Sequence, residues 1–161
     1  MTVEEFNKTV DLYADQLYRF ILKNMKDEEK ARDVVQDTYE KLWLKVSDVA
    51  STNAKSYMFT TAYHTMIDRI RKDKRLSEMT ATREQTLSHT RQYSDLKEVL
   101  DEALTKLTDT QRSLILLRDY EGYSYAEIGE ITGLNESQVK VYIFRARGIL
   151  KNYIGALENV I

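Results

Sequence analysis

Residues 136–151 carry basic and polar side chains at positions suited to contacting nucleic acid. The apolar residues Val139, Ile143 and Ala146 recur at helical spacing, so they should face a core and leave the intervening side chains outward. The first outward side chains are placed to reach base edges, and the later arginines are better placed to hold phosphates. The candidates are Glu136, Ser137, Gln138, Lys140, Val141, Arg145 and Arg147.

The residues that precede this segment should position it after a tight turn. Ser124 and Glu127 have the spacing of a capping box, which satisfies free backbone donors at the start of a helix. Gly133 can adopt the positive φ of a tight turn, and Asn135 with Gln138 repeats the capping spacing. Two helices joined in this way form a helix-turn-helix, whose second helix enters the major groove of DNA. The alternative is an amphipathic helix with a solvated charged face.

A second candidate surface lies on a helix predicted from about residue 54 to residue 74. Opposite its apolar stripe, the helix should carry a polar and basic face consisting of Thr61, His64, Thr65, Asp68, Arg71 and Lys72. Basic side chains bind phosphates, and the neighbouring aromatic residues Tyr57, Phe59 and Tyr63 could stack on exposed bases. The competing interpretation is that the charged face is solvated and the aromatic residues belong to the core.

The composition leaves little basis for catalysis or metal binding. The chain has no cysteine, which removes thiolate nucleophiles, disulfides and zinc fingers. Its two histidines, His64 and His89, adjoin no cluster of metal ligands, and no phosphate-binding glycine loop or nucleophile elbow occurs. We therefore expect no enzyme activity, no cofactor and no metal. An acidic N-terminus and the lack of an apolar run near the roughly 20 residues that span a bilayer indicate a cytoplasmic protein without membrane insertion.

Helical periodicity through nearly the whole chain indicates an all-α fold of two small domains. Residues 1–75 should form a bundle of three or four helices, and residues 95–161 a helix-turn-helix domain. Residues 76–94 are rich in Ser and Thr, so we expect a flexible linker there, with a poorly patterned surface helix as the alternative. The formal net charge of -2 averages a basic cluster at residues 69–75 and an acidic stretch at residues 95–130. Local patches, rather than this average, decide phosphate binding.

Nearly the whole chain resembles a sigma-70 family factor of the small, extracytoplasmic-function group. The sequence DVVQDTYEKLW at residues 33–43 is similar to the region 2 segment that docks on the clamp helices of the largest RNA polymerase subunit. KSYMFTTAYHTMIDRIRKDKR at residues 55–75 is similar to the helix that melts and reads the -10 promoter element. Residues 104–150, with the terminal RAR, resemble region 4, which reads the -35 element.

The resemblance implies a role for each surface. It implies a sigma factor that binds core RNA polymerase, recognises the -35 and -10 elements of promoter DNA and helps to melt the -10 region. The implied polymerase contacts are Asp33, Gln36, Asp37, Glu40 and Trp43. The implied -10 contacts are Ser51, Thr52, Asn53, Lys55, Tyr57, Thr61, His64, Asp68, Arg71 and Lys72, with the loop at residues 47–53 forming a pocket for a flipped base.

The candidates of residues 136–147 would read the -35 element, and the C-terminal domain would contact the polymerase flap. An anti-sigma factor would be a further partner, if one exists. The chain departs from the family's usual pattern at four positions. Tyr63 and His64 stand where an Arg-Asn pair is usual, Tyr142 replaces a common arginine, and Thr108 replaces a frequent proline. Promoter contacts should therefore differ in detail.

Three other functions compete with this interpretation. The main alternative is a dimeric helix-turn-helix transcriptional regulator with an N-terminal helical sensing domain, which would bind a palindromic operator. The basic cluster at residues 69–75 argues against it, because a sensing domain would not touch DNA. A small helical enzyme would need a convergent polar site, and a protein-binding adaptor would not depend on Lys140 or Arg145 for DNA-linked activity.

Overall fold

Seven α-helices make up most of the chain that the structure describes. The structure is a computed structural model, and it describes residues 1–80 and 96–160, with side chains as far as Met79 and Ala156. No strand occurs in these two segments, and the all-α prediction is confirmed. The helices are α1 (Val3–Met25), α2 (Glu28–Leu44), α3 (Ala54–Thr80), α4 (Leu96–Leu104), α5 (Asp109–Ile115), α6 (Tyr125–Thr132) and α7 (Glu136–Val160).

The first three helices form a bundle around an apolar core. A capping box starts α1, in which the Thr2 hydroxyl accepts from the Glu5 N–H and the Glu5 carboxylate accepts from the Thr2 N–H. Asp27 caps α2 by accepting from the Lys30 N–H at 3.1 Å. Burial of apolar area, at roughly 25 cal/mol per Å², is the main stabilising contribution. The most deeply buried core residues are Leu17, Phe20, Ile21, Leu42, Met58, Phe59, Ala62 and Met66.

Helices α4 to α7 form a second bundle whose last two helices are the predicted helix-turn-helix. A capping box between Thr108 and Gln111 starts α5. This helix continues over Leu116–Tyr120 in the wider turns of a π-helix. The core residues contributed by this bundle are Leu104, Leu107, Leu114, Ile115, Leu116, Leu117, Ile128, Ile131, Val139, Ile143 and Ala146.

The predicted geometry of the turn is confirmed in detail. Ser124 and Glu127 exchange both bonds of a capping box, at 3.0 and 3.1 Å. Gly133 has a φ of 80°, the left-handed conformation that favours glycine. Gly129 meets a different requirement, because a Cβ there would lie 2.8 Å from the carbonyl oxygen of Leu134. Glycine at this position therefore allows α6 to approach the turn closely.

Helix α3 is longer than the sequence predicted. Its predicted end was near Lys74, but the helix runs to Thr80, inside the segment predicted as a linker. Lys30 and Asp73 pair at 3.1 Å, and Lys74 pairs with Asp109, so ionic contacts hold the last predicted turn of the helix, from which it continues. The rest of the predicted linker, and its predicted flexibility, lie outside the described residues.

The two bundles pack against each other along a contact that the sequence did not predict. Arg19 Nη2 on α1 lies 2.9 Å from both carboxylate oxygens of Glu121, whose side chain is only 3% exposed. A buried hydrogen bond of 2.8 Å runs from the Ser113 hydroxyl to Asn24 Oδ1. We call this contact the seam. Its residues are Arg19, Asn24, Lys55, Phe59 and Lys74 on the first bundle and Asp109, Arg112, Ser113, Glu121 and Tyr123 on the second.

Candidate nucleic-acid interface

The outward face of α7 is exposed as the sequence predicted. Val139, Ile143 and Ala146 are buried in the core, which fixes the orientation of the helix. The side chains predicted to contact duplex DNA all lie on the exposed surface. These are Glu136, Ser137, Gln138, Lys140, Val141, Arg145 and Arg147.

The exposed side chains of α7 differ in how far they are already engaged. Gln138 accepts from the Asn135 N–H at 3.0 Å, so its amide completes the helix start. Arg147 Nη2 lies 2.6 Å from Asp119 Oδ1, and this hydrogen bond raises the pKa of the guanidinium. Arg145 has no ion pair within the described segments and is exposed. Arg145 is therefore the arginine of this face whose guanidinium is not engaged by an ion pair within the described segments.

Two basic side chains, those of Arg118 and Lys140, contact the ring of Tyr125 near the start of α7. The guanidinium of Arg118 lies 4.4 Å from the ring centre of Tyr125 and donates to the Tyr123 carbonyl at 3.0 Å. Lys140 lies 5.7 Å from the same ring and 3.6 Å from the Glu136 carboxylate. Cation–π contacts of this kind hold a charged side chain over an aromatic face. Lys140 is thus held near the first turns of the helix, where base edges are read.

One exposed residue of this face was left out of the predicted site. Phe144 is 79% exposed and lies one turn after Val141, which is 45% exposed. The sequence already placed Phe144 outward, because it falls between the core positions Ile143 and Ala146. Phe144 and Val141 together add exposed apolar area to a face that is otherwise polar and basic.

The polar face of α3 is only partly as predicted. His64, Asp68, Arg71 and Lys72 are exposed, whereas Thr61 is half-buried. A shallow concavity of about 510 Å³ continues this face toward the helix end. It is lined by Asp68, Arg71, Lys74, Arg75 and Glu78.

Three residues near this face are buried: Phe59 and Tyr63, as the competing interpretation of the aromatic residues expected, and Thr65, which was predicted to lie on the polar face. Phe59 is fully buried and Tyr63 is 6% exposed, so neither ring can stack on a base in this conformation. Thr65 is 8% exposed, and its hydroxyl accepts from Lys41 at 2.8 Å. Phe59 and Tyr63 lie on the same side of α3 as Ala62, so they belong to its core-facing apolar stripe. Tyr57 is half-buried against the core.

The loop before α3 presents polar side chains to solvent. Ser51, Thr52 and Asn53 form one turn of 3-10 helix and are all exposed. The Glu5 carboxylate on α1 accepts hydrogen bonds from the Thr2 backbone and from Ser51, and these lower its pKa. This contact ties the start of α1 to the loop that the sequence predicts to hold a flipped base.

Lys55 is a predicted -10 residue that lies at the seam, where it contacts the second bundle. Its ammonium lies 5.4 Å from the ring centre of Tyr13 and 5.0 Å from that of Tyr123. It also lies near Glu127, whose pKa is lowered by the hydrogen bonds to Ser124 and, to a smaller extent, by the charge of Lys55. Lys55 is therefore shared between its own bundle and the second one.

The predicted polymerase surface forms a stripe along α2. Asp33, Gln36, Glu40 and Trp43 are exposed, and Asp37 is partly exposed. Arg69 on α3 pairs with two of the acids, at 3.0 Å from Asp37 and 3.8 Å from Asp33.

An apolar end completes this stripe. Trp43 packs edge-on against Phe6 with ring centres 5.1 Å apart, and its side chain remains 45% exposed. The next residue, Leu44, is 78% exposed. An acidic stripe ending in exposed apolar side chains is a suitable surface for another protein.

The described residues lack two further features. No group of three or more His, Cys, Asp or Glu side chains there could hold a metal ion. None of the helices described is long and apolar enough to cross a bilayer.

Comparison with known families assigns both bundles. Residues 9–76 match the family model Sigma-70 region 2, and residues 97–150 match the model Sigma-70, region 4. The first match contains α2, the loop and most of α3, and the second contains the helix-turn-helix. The two matches occur in the order that the sequence resemblance implied.

Individual relatives extend over nearly the whole chain. The ECF RNA polymerase sigma factor SigM of Bacillus subtilis (strain 168) is 27% identical over 159 residues, which are 94% of either chain. The RNA polymerase sigma factor SigV of the same organism is 30% identical and covers 86% of this chain and 84% of its own. Among solved structures, the sigma factor RpoE in complex with the anti-sigma factor NepR from Bartonella quintana is 28% identical, with a TM-score of 0.79. That match covers 95% of this chain and 98% of the solved one.

Proposed function

This chain belongs to the sigma-70 family of RNA polymerase sigma factors, in its extracytoplasmic-function group. On this basis we propose which exposed surface of the chain makes each contact in promoter recognition. As a sigma factor it binds core RNA polymerase and directs initiation at promoters. The observation that carries the proposed division of work is that three separate helices, α2, α3 and α7, each present one exposed polar face. One face serves each contact.

The exposed face of α7 reads the -35 element in duplex DNA. Glu136, Ser137, Lys140 and Val141 stand in the first turns, which reach base edges in the major groove. Arg145 binds a phosphate, and such contacts fix register without reading sequence. Gln138 and Arg147 contribute mainly by holding the helix in place, because both are already hydrogen-bonded within the domain.

The loop and the polar face of α3 act on the -10 element. Ser51, Thr52 and Asn53 line a pocket for one flipped base, and the exposed basic end of α3 holds the backbone of the opened strand. Flipping a base costs a few kcal/mol of stacking, which a fitted pocket recovers. Lys55 takes part only after the second bundle has moved away from it.

The acidic stripe of α2 docks on the clamp helices of the largest polymerase subunit. Arg69 holds Asp33 and Asp37 in position, and Trp43 supplies a rigid apolar anchor at the end of the stripe. Aromatic anchors that become buried in a pocket of the partner often dominate the binding energy of a protein interface. The second bundle contacts the polymerase flap, so both bundles are held on one enzyme and their DNA contacts become effectively intramolecular.

The further proposals concern the setting of this activity. Because the solved relative RpoE is in complex with an anti-sigma factor, we include an anti-sigma factor among the partners of this chain. We also propose that the chain acts in the cytoplasm, where polymerase and DNA meet, and that it has no catalytic activity of its own.

The deciding experiment is run-off transcription of genomic DNA with purified core polymerase, with and without this chain. We expect transcripts whose start points share one upstream pair of sequence elements, and co-elution of the chain with core polymerase. A dimeric regulator would instead bind a palindromic site without polymerase. Failure to co-elute with core polymerase, together with a defined palindromic footprint, would overturn the assignment.

A further inference from the structure

The packed arrangement of the two bundles cannot contact both promoter elements at once. Elements centred near -35 and -10 lie about 25 base pairs apart, which is about 85 Å along B-form DNA. A compact chain of 161 residues has a radius of gyration of only about 15 Å. The seam must therefore open before the chain can serve both elements, and the strength of the seam becomes a control on activity.

Most polar groups of the seam are well satisfied. Glu121 is bound by Arg19 through two oxygens, and the Ser113 hydroxyl donates to Asn24. Arg112 donates to the Asn24 carbonyl at 3.1 Å and also pairs with Asp109. Contacts of this kind favour the packed form, because opening would break several charge-assisted hydrogen bonds together.

Tyr123, in contrast to these contacts, destabilises the packed form. The residue is 5% exposed, and its ring packs edge-on against Phe59 of the other bundle at 5.4 Å. Its hydroxyl is buried and has no hydrogen-bond partner among the described residues. A buried polar group without a partner destabilises the state that buries it. Because Phe59 belongs to α3, opening the seam exposes Tyr123 and returns its hydroxyl to water.

Lys55 links this tyrosine to promoter contact. The Lys55 ammonium lies over the Tyr123 ring and is also a predicted -10 contact. In the packed form the lysine is held by Tyr13 and Tyr123, so it is not free to meet a phosphate. The same side chain therefore closes the seam in one form of the molecule and binds DNA in the other.

We propose that the seam restrains this factor in a packed form, and that the unpartnered hydroxyl of Tyr123 keeps this form weak enough for polymerase to open it. The functional consequence rests on the proposed reading of two promoter elements. The seam itself can be tested without polymerase or DNA.

The test measures the packed and open populations by single-molecule energy transfer in the full chain. The chain has no cysteine, so Asp11→Cys with Asn152→Cys, both at exposed positions, places one dye on each bundle. Tyr123→Phe removes only the hydroxyl and should raise the ratio of packed to open molecules about fivefold or more. Arg19→Ala leaves Glu121 buried and unpaired, so it should lower this ratio. Tyr123→Phe is also measured in the Arg19→Ala background, because an increase in the packed fraction can be detected there even if nearly all wild-type molecules are packed.

Tyr39→Phe on α2 is the matched control, because it removes a half-buried tyrosine hydroxyl away from the seam, and it should leave the ratio unchanged. A ratio that is unchanged or lowered by Tyr123→Phe in both backgrounds overturns the proposal, whatever the promoter assignments. In run-off transcription, Tyr123→Phe should need about fivefold more core polymerase to reach half-maximal yield, because the binding-competent form is rarer. An equal requirement would overturn the restraining role.

Discussion

Arg147 Nη2 lies 2.6 Å from Asp119 Oδ1, across the 28 residues that separate the end of the π-helical segment from the middle of α7. This ion pair fastens the recognition helix to the body of its own domain. Arg145 is only two residues away, but it points to solvent without an ion pair within the described segments. Arg145 and Arg147 lie on the same basic face but differ in environment, because Arg147 is held in an ion pair and Arg145 points to solvent.

Arg145→Ala should weaken holoenzyme binding to promoter DNA and reduce the slope of log affinity against log salt by about 1, because one phosphate contact is lost. Arg147→Ala should change the slope less and lower the melting temperature of the chain, since it breaks the pair with Asp119. The measurements are filter binding over a salt series and thermal unfolding. If Arg147→Ala changes the slope as much as Arg145→Ala does, the assignment of tasks is wrong.

Gly129→Ala should destabilise the helix-turn-helix by about 1–3 kcal/mol, because its Cβ would lie against the rigid backbone oxygen of Leu134 at 2.8 Å. Gly148→Ala is the matched control. It lies in a helix with nothing within 4 Å of an added Cβ, so it should stabilise α7 by about 0.5–1 kcal/mol. Urea unfolding gives both values. A neutral Gly129→Ala would show that the turn relaxes easily.

Exchanging residues 47–53 for the corresponding loop of another factor in this family should change base preference at one -10 position. The physical reason is that Ser51, Thr52 and Asn53 are exposed and would line the pocket of the flipped base. Transcription from a promoter library randomised at both elements measures the change. A shift confined to the -35 element would place the pocket elsewhere.

Trp43→Ala should weaken binding to core polymerase by about 2 kcal/mol or more, as expected for an aromatic anchor that becomes fully buried in the interface. Leu12→Ala removes an exposed apolar side chain from α1 and should have little effect, so it is the control for general loss of apolar surface. Competition for labelled core polymerase measures both affinities. Equal losses for the two variants would argue against the α2 surface.

Asp109 should make the stability of the chain depend on acidic pH. Burial would raise its pKa, but the hydrogen bonds and charges of Lys74 and Arg112 outweigh burial, and the pKa of this carboxyl lies below its ordinary value. Its stabilising contribution is therefore complete above about pH 4 and is lost as the pH falls through the lowered pKa.

Asp109→Asn should accordingly lower the melting temperature at pH 7 and have less effect at pH 3, where part of the stabilisation by the wild-type carboxylate has already been lost. Asp11→Asn, at an exposed position without an ion pair in the described segments, is the control and should match the wild type at both pH values. A deficit for Asp109→Asn that is equal at pH 7 and pH 3 would show that charge at this position does not stabilise the fold.

Helix starts and helix faces were predictable because the interactions that set them are local. The capping box of Ser124 and Glu127 joins residues three apart, and the core face of α7 follows from apolar spacing alone. The same rule favours the interpretation that Phe59 and Tyr63 belong to the core, which the structure bears out. Both residues belong to the stripe that includes Ala62, and only their chemical attraction to bases suggested a surface role.

Contacts between distant charged residues were not predictable. Sequence spacing gives no reason to pair Arg19 with Glu121, which lies 102 residues away, or to place Lys55 over Tyr123. Long polar side chains reach several partners with similar energies, and tertiary packing decides among them. The pair between Lys74 of α3 and Asp109 of the second bundle is another contact of this kind.

The pairing of basic residues on α1 with acidic residues of the second bundle bears on the non-specific affinity of the free molecule for chromosomal DNA. Arg19 and Lys23 face Glu121 and Asp101, so these cations are occupied within the chain. Non-specific affinity for chromosomal DNA depends on how many phosphates a protein can neutralise. Pairing Arg19 and Lys23 inside the chain should therefore make it bind chromosomal DNA less strongly between rounds of transcription than it would with both cations free. The number of copies needed to occupy polymerase should then scale with the amount of polymerase, and only weakly with the length of the genome.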